Sequence, residues 1–454
     1  MSLSNLCFSF KEFKTLLPEG IIVATLLFLC TVYFFSGVKE GSKKTHFFIP
    51  IALIGLLIAV FSLFSDYHEG AFLAGMVYLN SFIFLAKGFL VILTFAILGL
   101  SLFMKTLRSL LTFEYIFLIL SSLLGGLLAL SSNHFLMLFV SLELQVLPLY
   151  LLMALPKRTT QAFESALKYF VLGGLSTGFL LLGISFVYGS CGILSFHELE
   201  KWLFMHTQQG LSLLSHAPYF MIGLVFILGA LGFKLSLVPF HAWTPDIYEG
   251  TETHTTLFLA TISKMTAVCV MIRLFWGVFL PASSFIYHIL LWVAVVSMLW
   301  GTFGALAQTN LKRLLGYSTI SHMGYVLSAV LMLNESGFYT ALFYLLCYMP
   351  SVFLVFALLI YEQEGSKEPL TLYELKHKFK HASLSGGLMV MGIFSLAGLP
   401  PFPVFFGKIF LLLALLEQKA WLLIATLLIS SLIACYYYLR ILRILYFDRD
   451  EVRV

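Results

Sequence analysis

Charge is scarce in this sequence, and so is most of what a soluble enzyme is made of. Of 454 residues only 11% are charged while 60% are hydrophobic, and the mean hydropathy is +0.98. Soluble domains carry about a quarter charged residues. A soluble core of this length has no use for so much apolar surface, so the chain reads as a polytopic membrane protein. The six cysteines (Cys7, Cys30, Cys191, Cys269, Cys347 and Cys435) are scattered singly. With no CxxC pair and no His/Cys cluster, neither a disulfide framework nor a zinc or iron–sulfur site is indicated. There is no Walker A run, no GxGxxG after a strand and no CxxCH, so no nucleotide, flavin or haem site is expected in the chain. No basic region followed by a small-residue cleavage site opens the sequence, and no cleaved signal peptide is expected. The longest polar stretch, 362–381, is the size of a loop between helices. Nucleic acid is not among the expected partners; the lipid bilayer is.

What the sequence does have is long apolar runs. A spanning helix needs about 20 mostly apolar residues. By that rule there are about thirteen spans, at roughly 16–36, 47–65, 82–104, 112–131, 134–155, 162–190, 218–248, 255–280, 285–307, 313–333, 337–361, 383–415 and 420–446. The seventh and twelfth are too long for one span, and both contain prolines, which remove an amide donor and clash with the preceding turn. Each is expected to be two half-helices joined by an unwound turn. The fold class is therefore an all-α polytopic membrane protein with helices 7 and 12 discontinuous. Spans 4–8 and 9–13 form two sets of five, each with its broken helix fourth. Because five is odd, the second set enters the membrane from the opposite side, the inverted-repeat plan of transporters. The expected divisions are an N-terminal three-helix segment (1–110), two five-helix repeats (111–282 and 283–447) and a short tail (448–454).

Loop charge sets an orientation. With the loop after span 1 in the cytoplasm, that side carries seventeen lysines and arginines, and the other only Lys11, Lys14, Lys201 and Lys419. The N-terminus is then outside and the C-terminus cytoplasmic. Six basic residues fall inside spans: Lys87, Lys168, Lys234, Lys264, Arg273 and Lys408. An ionisable residue there costs about 2.5–3.5 kcal/mol on insertion scales and marks a functional position by default. Lys87 and Arg273 lie near span ends, where a long side chain can snorkel to the interface. Lys168 is either a snorkelling residue or the inner mouth of a proton path. Lys234, Lys264 and Lys408 sit mid-run. A buried amine is disfavoured when charged and favoured by a nearby carboxylate, and a lysine poised between the two effects can take up and release a proton. The alternative is a static ion pair holding helices together. Glu143, in FLMLFVSLELQVLPLYLLMAL, is the one carboxylate read as buried, and Lys234 is its expected partner. His241, at the break of span 7, and His322, in LKRLLGYSTISHMGYVLSAV, carry imidazoles that titrate near neutrality and can relay protons; the alternative for each is a hydrogen-bonded packing role. His254 is read as a surface residue. The pairs Gly125-Gly126, Gly173-Gly174 and Gly386-Gly387 are read as packing features.

These motifs coincide, in order, with those of a family. LELQVLPLYLLMAL, ESALKYFVLGGLSTGFLLLGISFVYGSCG, GFKLSLVPFHAWTPDIYEG, QTNLKRLLGYSTISHMGY and SLAGLPPFPVFFGK resemble the antiporter-like membrane subunits of respiratory complex I, NADH-quinone oxidoreductase. The resemblance covers roughly residues 110–440 and extends weakly to LLPEG in span 1. It is closest to the subunit N branch, ahead of the L and M types and of multisubunit cation/proton antiporter subunits. It implies that Glu143 modulates the lysine beside it, that Lys234, Lys264 and Lys408 transfer protons, and that Lys168, His241 and His322 line a hydrated path. It implies outward proton pumping driven by quinone reduction elsewhere, with no redox chemistry and no cofactor in this chain. NADH, FMN, iron–sulfur clusters and quinone would belong to partner subunits. The implied partners are the antiporter-like M and L subunits and the small J and K subunits, in a bacterial inner membrane. Three departures from the family pattern stand out: Gly250-Thr251-Glu252-Thr253-His254 lacks the usual prolines, Phe402-Pro403-Val404-Phe405 follows the double proline, and Pro350-Ser351 falls in span 11. Bacterial members of the family usually carry one more helix than the thirteen spans expected here. The other readings are a subunit of a sodium/proton antiporter, a subunit of a membrane-bound hydrogenase, or a structural spacer.

Overall fold

The computed structural model describes residues 16–36, 47–63, 69–104, 112–155, 160–208, 217–363 and 384–446. Most of the basic residues behind the orientation argument, and the expected tail at 448–454, lie outside the described residues. The helices in chain order are α1 (Leu17–Ser36), α2 (Phe48–Ser62), α3 (Ser81–Phe103), α4 (Phe113–Ser131), α5 (Phe135–Ala154), α6 (Thr160–Cys191), α7 (Phe196–Gln208) and α8 (Pro218–Leu235). They continue with α9 (Trp243–Gly250) and α10 (Thr253–Val278), then α11 (Ser283–Leu306), α12 (Leu311–Val330) and α13 (Glu335–Glu362). The last three are α14 (Leu384–Ala397), α15 (Pro403–Glu417) and α16 (Trp421–Tyr446). A two-stranded hairpin, β1 (Gly70–Phe72) and β2 (Val77–Leu79), precedes α3.

The all-α membrane class holds. Ten of these helices are long and apolar enough to cross a membrane. The remaining spans expected from sequence fall short of that length-and-hydropathy criterion for separate reasons. α2 has only 15 residues. α14 and α15 are the two halves of a broken span, with 14 and 15 residues. α12 has 20 residues but carries Lys312, Arg313, His322 and several hydroxyl side chains. Both expected breaks are present, after Leu235 and after Ala397. With the short α7 set aside, the element order therefore repeats: three helices, a broken fourth and a fifth, first in α4–α10 and again in α11–α16. Pro350 is accommodated inside a continuous α13.

The chain divides into two compact units, and the division falls inside α8 and α10. The first is Met1–Ala230 with Ile262–Pro281. Its α4–α5 contact is close because Gly125 offers no side chain: a Cβ there would sit 2.3 Å from the backbone nitrogen of Gln145. Ser122 Oγ donates to the Gln145 carbonyl at 2.7 Å across the same contact. The hairpin closes over the α4–α5 turn, where Asn133 Nδ2 donates to the Gly75 carbonyl at 3.0 Å and the Asn133 amide donates to the Met76 carbonyl at 2.7 Å. Arg273 joins this knot. Its guanidinium donates to the Leu130 carbonyl at 2.7 Å and lies over the rings of Tyr78 and Phe196. It anchors the end of α10 where a snorkelling side chain was expected. Helix α7, amphipathic and unanticipated, follows α6.

The second unit is Leu231–Thr261 with Ala282–Val454. Here α8 stops because Ser236 takes a left-handed conformation (φ 62°), and the amide of Leu237 donates back to the Gly232 carbonyl at 2.8 Å. The carbonyl of Phe233, in the last turn of the helix, accepts from the Ser236 amide at 3.0 Å and from Trp243 Nε1 at 3.0 Å. The turn is tied further by the Ser236–Thr244 hydroxyl contact and by the Val238 amide donating to Ser297 Oγ at 2.9 Å. In α14–α15 the break is made by Gly398 (φ 77°), a backbone region that L side chains rarely adopt. Pro403 then opens α15, where its missing amide costs nothing. At the start of α12, Asn310 accepts from the amides of Lys312 and Arg313, an N-terminal cap. Arg313 pairs with Glu249 at 2.7 Å and Asp246 at 3.0 Å.

Candidate functional site

Within the first unit the sequence-predicted residues fall into different environments. Lys264 follows directly on a π turn, Leu259–Ser263, in the almost wholly buried α10, and its side chain is fully buried at 0% exposure. A π turn inserts one extra residue into a helix and is frequent at functional positions. Two residues on, toward the other side of the helix, Thr266 Oγ1 accepts from Gln145 Nε2 at 3.0 Å. Glu143, expected to be buried, is half-buried on α5, and its Oε1 accepts from Thr177 Oγ1 of α6 at 2.7 Å. An isolated apolar run does not reveal which helix face a residue occupies, and Glu143 lies on a face only partly covered by this chain. Lys168 is 44% exposed and pairs with Glu164 one turn earlier at 2.8 Å.

The first unit also holds an ion pair that sequence reasoning missed. Glu19 on α1 and Lys87 on α3 meet at 2.5 Å, with side-chain exposures of 6% and 1%. Lys87 does not snorkel. Its short distance to the span end alone points to an interface. Its partner, in the LLPEG run, belongs to a different helix, and no local spacing links the two.

In the second unit Lys234 occupies the last turn of α8 and is half-buried, nearer the surface than a mid-run lysine was expected to be. His241, in the turn after the break, is half-buried and meets Trp300 edge-to-face at 5.8 Å. His254, read from sequence as a surface residue, is 3% exposed at the start of α10. The departure Gly250–His254 thus places threonines and a histidine inside the protein: Thr251, Thr253, His254, Thr255 and Thr256 are all buried.

Lys408 and His322 come together through tyrosines. Lys408, 8% exposed on α15, donates from Nζ to the carbonyl of Ala397, the last residue of α14, at 3.0 Å. A helix C-terminus carries partial negative charge, which favours a cation there. The same ammonium lies 5.5 Å from the centre of the Tyr325 ring, a cation–π distance. The Tyr325 ring meets the ring of His322 edge-on at 5.6 Å. His322 is fully buried, with Nδ1 2.6 Å from the Tyr344 hydroxyl and its ring stacked on Tyr348 at 4.5 Å. Tyr348 donates to Thr319 Oγ1 at 3.2 Å, Tyr325 donates to Ser430 Oγ at 2.9 Å, and Ser318 and Tyr438 share a 2.5 Å hydrogen bond. Sequence reasoning missed Tyr344 and Tyr348. Their i, i+4 spacing in α13 was the available signal. The cluster brings a buried amine, an imidazole and four phenols together. Among the described residues no group of three or more His, Cys, Asp or Glu side chains is placed to hold a metal ion.

Residues 132–434 match the family model described as NADH:quinone oxidoreductase/Mrp antiporter, transmembrane. NADH-quinone oxidoreductase subunit N of Nitrosomonas europaea is 35% identical over 448 residues, 98% of this chain and 90% of the relative. A chain of respiratory complex I from Thermus thermophilus superposes with a TM-score of 0.76 at 28% identity, over 96% of this chain and 91% of that one. A chain of the Mrp complex from Dietzia shares the fold, with a TM-score of 0.83 at 21% identity over 96% of this chain and 81% of the other. The chain belongs to the NADH:quinone oxidoreductase/Mrp antiporter family of membrane proteins, among relatives named subunit N.

Proposed function

We propose that this chain is the N-type proton-translocating membrane subunit of an NADH-quinone oxidoreductase. The observation that carries the reading is the pairing of near-full-length 35% identity to subunit N with lysines held at both helix breaks and in the buried core of α10. A redundant spacer would have no reason to place ionisable side chains inside spanning helices, at a cost of about 2.5–3.5 kcal/mol per residue on insertion scales. Glu143 and Lys234 act as the charge switch, Lys264 carries the proton through α10, and Lys408 releases it, with His322 beside it. Lys168 and His241 serve water-accessible stretches of the path. Moving one charge against 100 mV costs about 2.3 kcal/mol, and a one-unit change in a carrier's proton affinity is worth about 1.4 kcal/mol, so a few such groups suffice. NADH oxidation, flavin, iron–sulfur clusters and quinone belong to partner subunits, and the M, L, J and K subunits are the expected membrane neighbours. The membrane is a bacterial inner membrane, with the N-terminus outside and the C-terminus in the cytoplasm.

The test is Lys264→Ala in the assembled complex, with quinone reduction and proton pumping measured together in sealed vesicles. Loss of pumping per electron pair, with assembly retained, is expected. Unchanged coupling would overturn the reading. The shared Mrp fold keeps a sodium/proton antiporter subunit as the competing reading. Purification distinguishes the two: a flavin-containing, iron–sulfur partner arm supports the oxidoreductase, and its absence supports the antiporter.

A further inference from the structure

His322 is enclosed by Tyr325 on its own helix and by Tyr344 and Tyr348 on α13, and all four residues are buried. A neutral imidazole carries its proton on one nitrogen only, so the direction of the Tyr344 hydrogen bond decides which nitrogen that is. Suppose the phenol accepts from Nδ1–H. Its own proton then points nowhere, because the hydroxyl has no other hydrogen-bond partner among the described residues, and the bare Nε2 has none either. Suppose instead the phenol donates to Nδ1. Only Nε2–H is then left over. Each buried polar group without a partner carries a desolvation penalty, so donation is favoured by one whole group. The packing reinforces this choice. Tyr348 stacks on the imidazole face and gives its hydroxyl to Thr319, and Tyr325 gives its hydroxyl to Ser430. Neither of those phenols competes for the ring nitrogens.

We propose that Tyr344 is a positioning residue of the proton path, its hydroxyl holding His322 as the Nε2–H tautomer. The proposal rests on the reading of His322 as a path residue. Its consequence is directional. The imidazole meets the path as a donor at Nε2 alone. A second proton can go only to Nδ1, the nitrogen with the lone pair, and its arrival obliges the Tyr344 hydroxyl to turn from donor to acceptor. The tyrosine is therefore a latch on charging of the ring, and Lys408, the other cation of the cluster, is held separately by the Ala397 carbonyl and the Tyr325 face.

The tautomer is read by 15N solid-state NMR on histidine-labelled complex, with His322→Gln subtracted to isolate the one ring. The expected spectrum has a pyrrole-type Nε2 and a hydrogen-bonded, pyridine-type Nδ1. Tyr344→Phe keeps the ring and removes the hydroxyl; it is expected to shift the tautomer ratio by about tenfold, the worth of one buried hydrogen bond, and to lower pumping, though less than His322→Gln does. A proton found on Nδ1 in the unsubstituted complex would overturn the proposal, and that spectrum stands whether or not Tyr344→Phe assembles. So would a Tyr344→Phe complex with unchanged tautomer and pumping while His322→Gln loses pumping. If His322→Gln pumps normally, the path reading itself falls and takes this one with it.

Discussion

At the scale of single residues, the Glu19–Lys87 pair sets a simple rule for substitution. Breaking a buried pair by removing one partner leaves an uncompensated charge and costs about 3–5 kcal/mol, whereas replacing both by apolar groups of similar volume is often neutral. Lys87→Met and Glu19→Gln are each expected to lower the thermal stability of the detergent-solubilised protein, and the Glu19→Leu/Lys87→Met double substitution to recover most of the loss. Stability that is additive across the two sites would contradict a direct pair. His134, which caps the start of α5 just outside the spanning helix by accepting from the Leu136 amide through Nδ1, gives a pH signature. Burial lowers its pKa below the ordinary 6.5, with Glu198 pulling the other way. The folded form thus prefers the neutral ring, so its contribution is complete above about pH 6.5 and declines as pH falls below that. A melting-temperature profile that loses this acid slope in His134→Asn, which caps without titrating, is the expected result. Legibility at this scale followed chain position. Lys264 and Lys408 stood out because their runs leave no route to an interface. The half-burial of Glu143 and Lys234 was not legible, since it depends on which faces other helices cover.

At the scale of elements, the breaks were legible because proline and a lysine in an over-long run are local signals. The π turns of α10 were not, since no residue type marks them. Gly398 shows how tightly one break is made. Its φ is strained for any other residue, and a Cβ would sit 2.9 Å from the Lys408 side chain. Gly398→Ala is expected to displace the lysine from the α14 terminus and to abolish pumping even where the complex assembles. Gly178→Ala, on an open face of α6 with nothing within 4 Å, is expected to be neutral or to stabilise by about 0.5–1 kcal/mol. Equal effects of the two substitutions in a parallel pumping assay would refute the close fit at the break. Asn310 belongs to the same scale: Asn310→Ala removes the cap of α12 and is expected to cost about 1 kcal/mol, read as a lower melting temperature.

For the molecule as a whole, the repeated order of α4–α10 and α11–α16 was visible in run lengths alone, while the boundary between the two compact units was not. It cuts through α8 and α10, which read in the sequence as unbroken stretches of one element each. Orientation rests on charges that mostly lie outside the described residues, so it calls for a direct measurement. Within the second unit, the α11–α12 turn and the α15–α16 turn are separated by an odd number of crossings. In a background without native cysteines, an impermeant thiol reagent applied to intact cells is expected to label Lys419→Cys and to reach Gln308→Cys only after permeabilisation. The opposite pattern would invert the topology.

The π turn before Lys264 has a consequence for how this chain tolerates editing. Such a turn is one residue longer than the α-helical path it replaces, while each residue of an ordinary helix advances the facing by about 100°. Removing one residue anywhere else between Thr253 and Lys264 would swing the lysine off its heading. Removing one from Leu259–Ser263 would let the helix close into an ordinary spiral and leave Lys264 aimed as before. The chain thus carries, one step ahead of its most buried amine, a single spare residue.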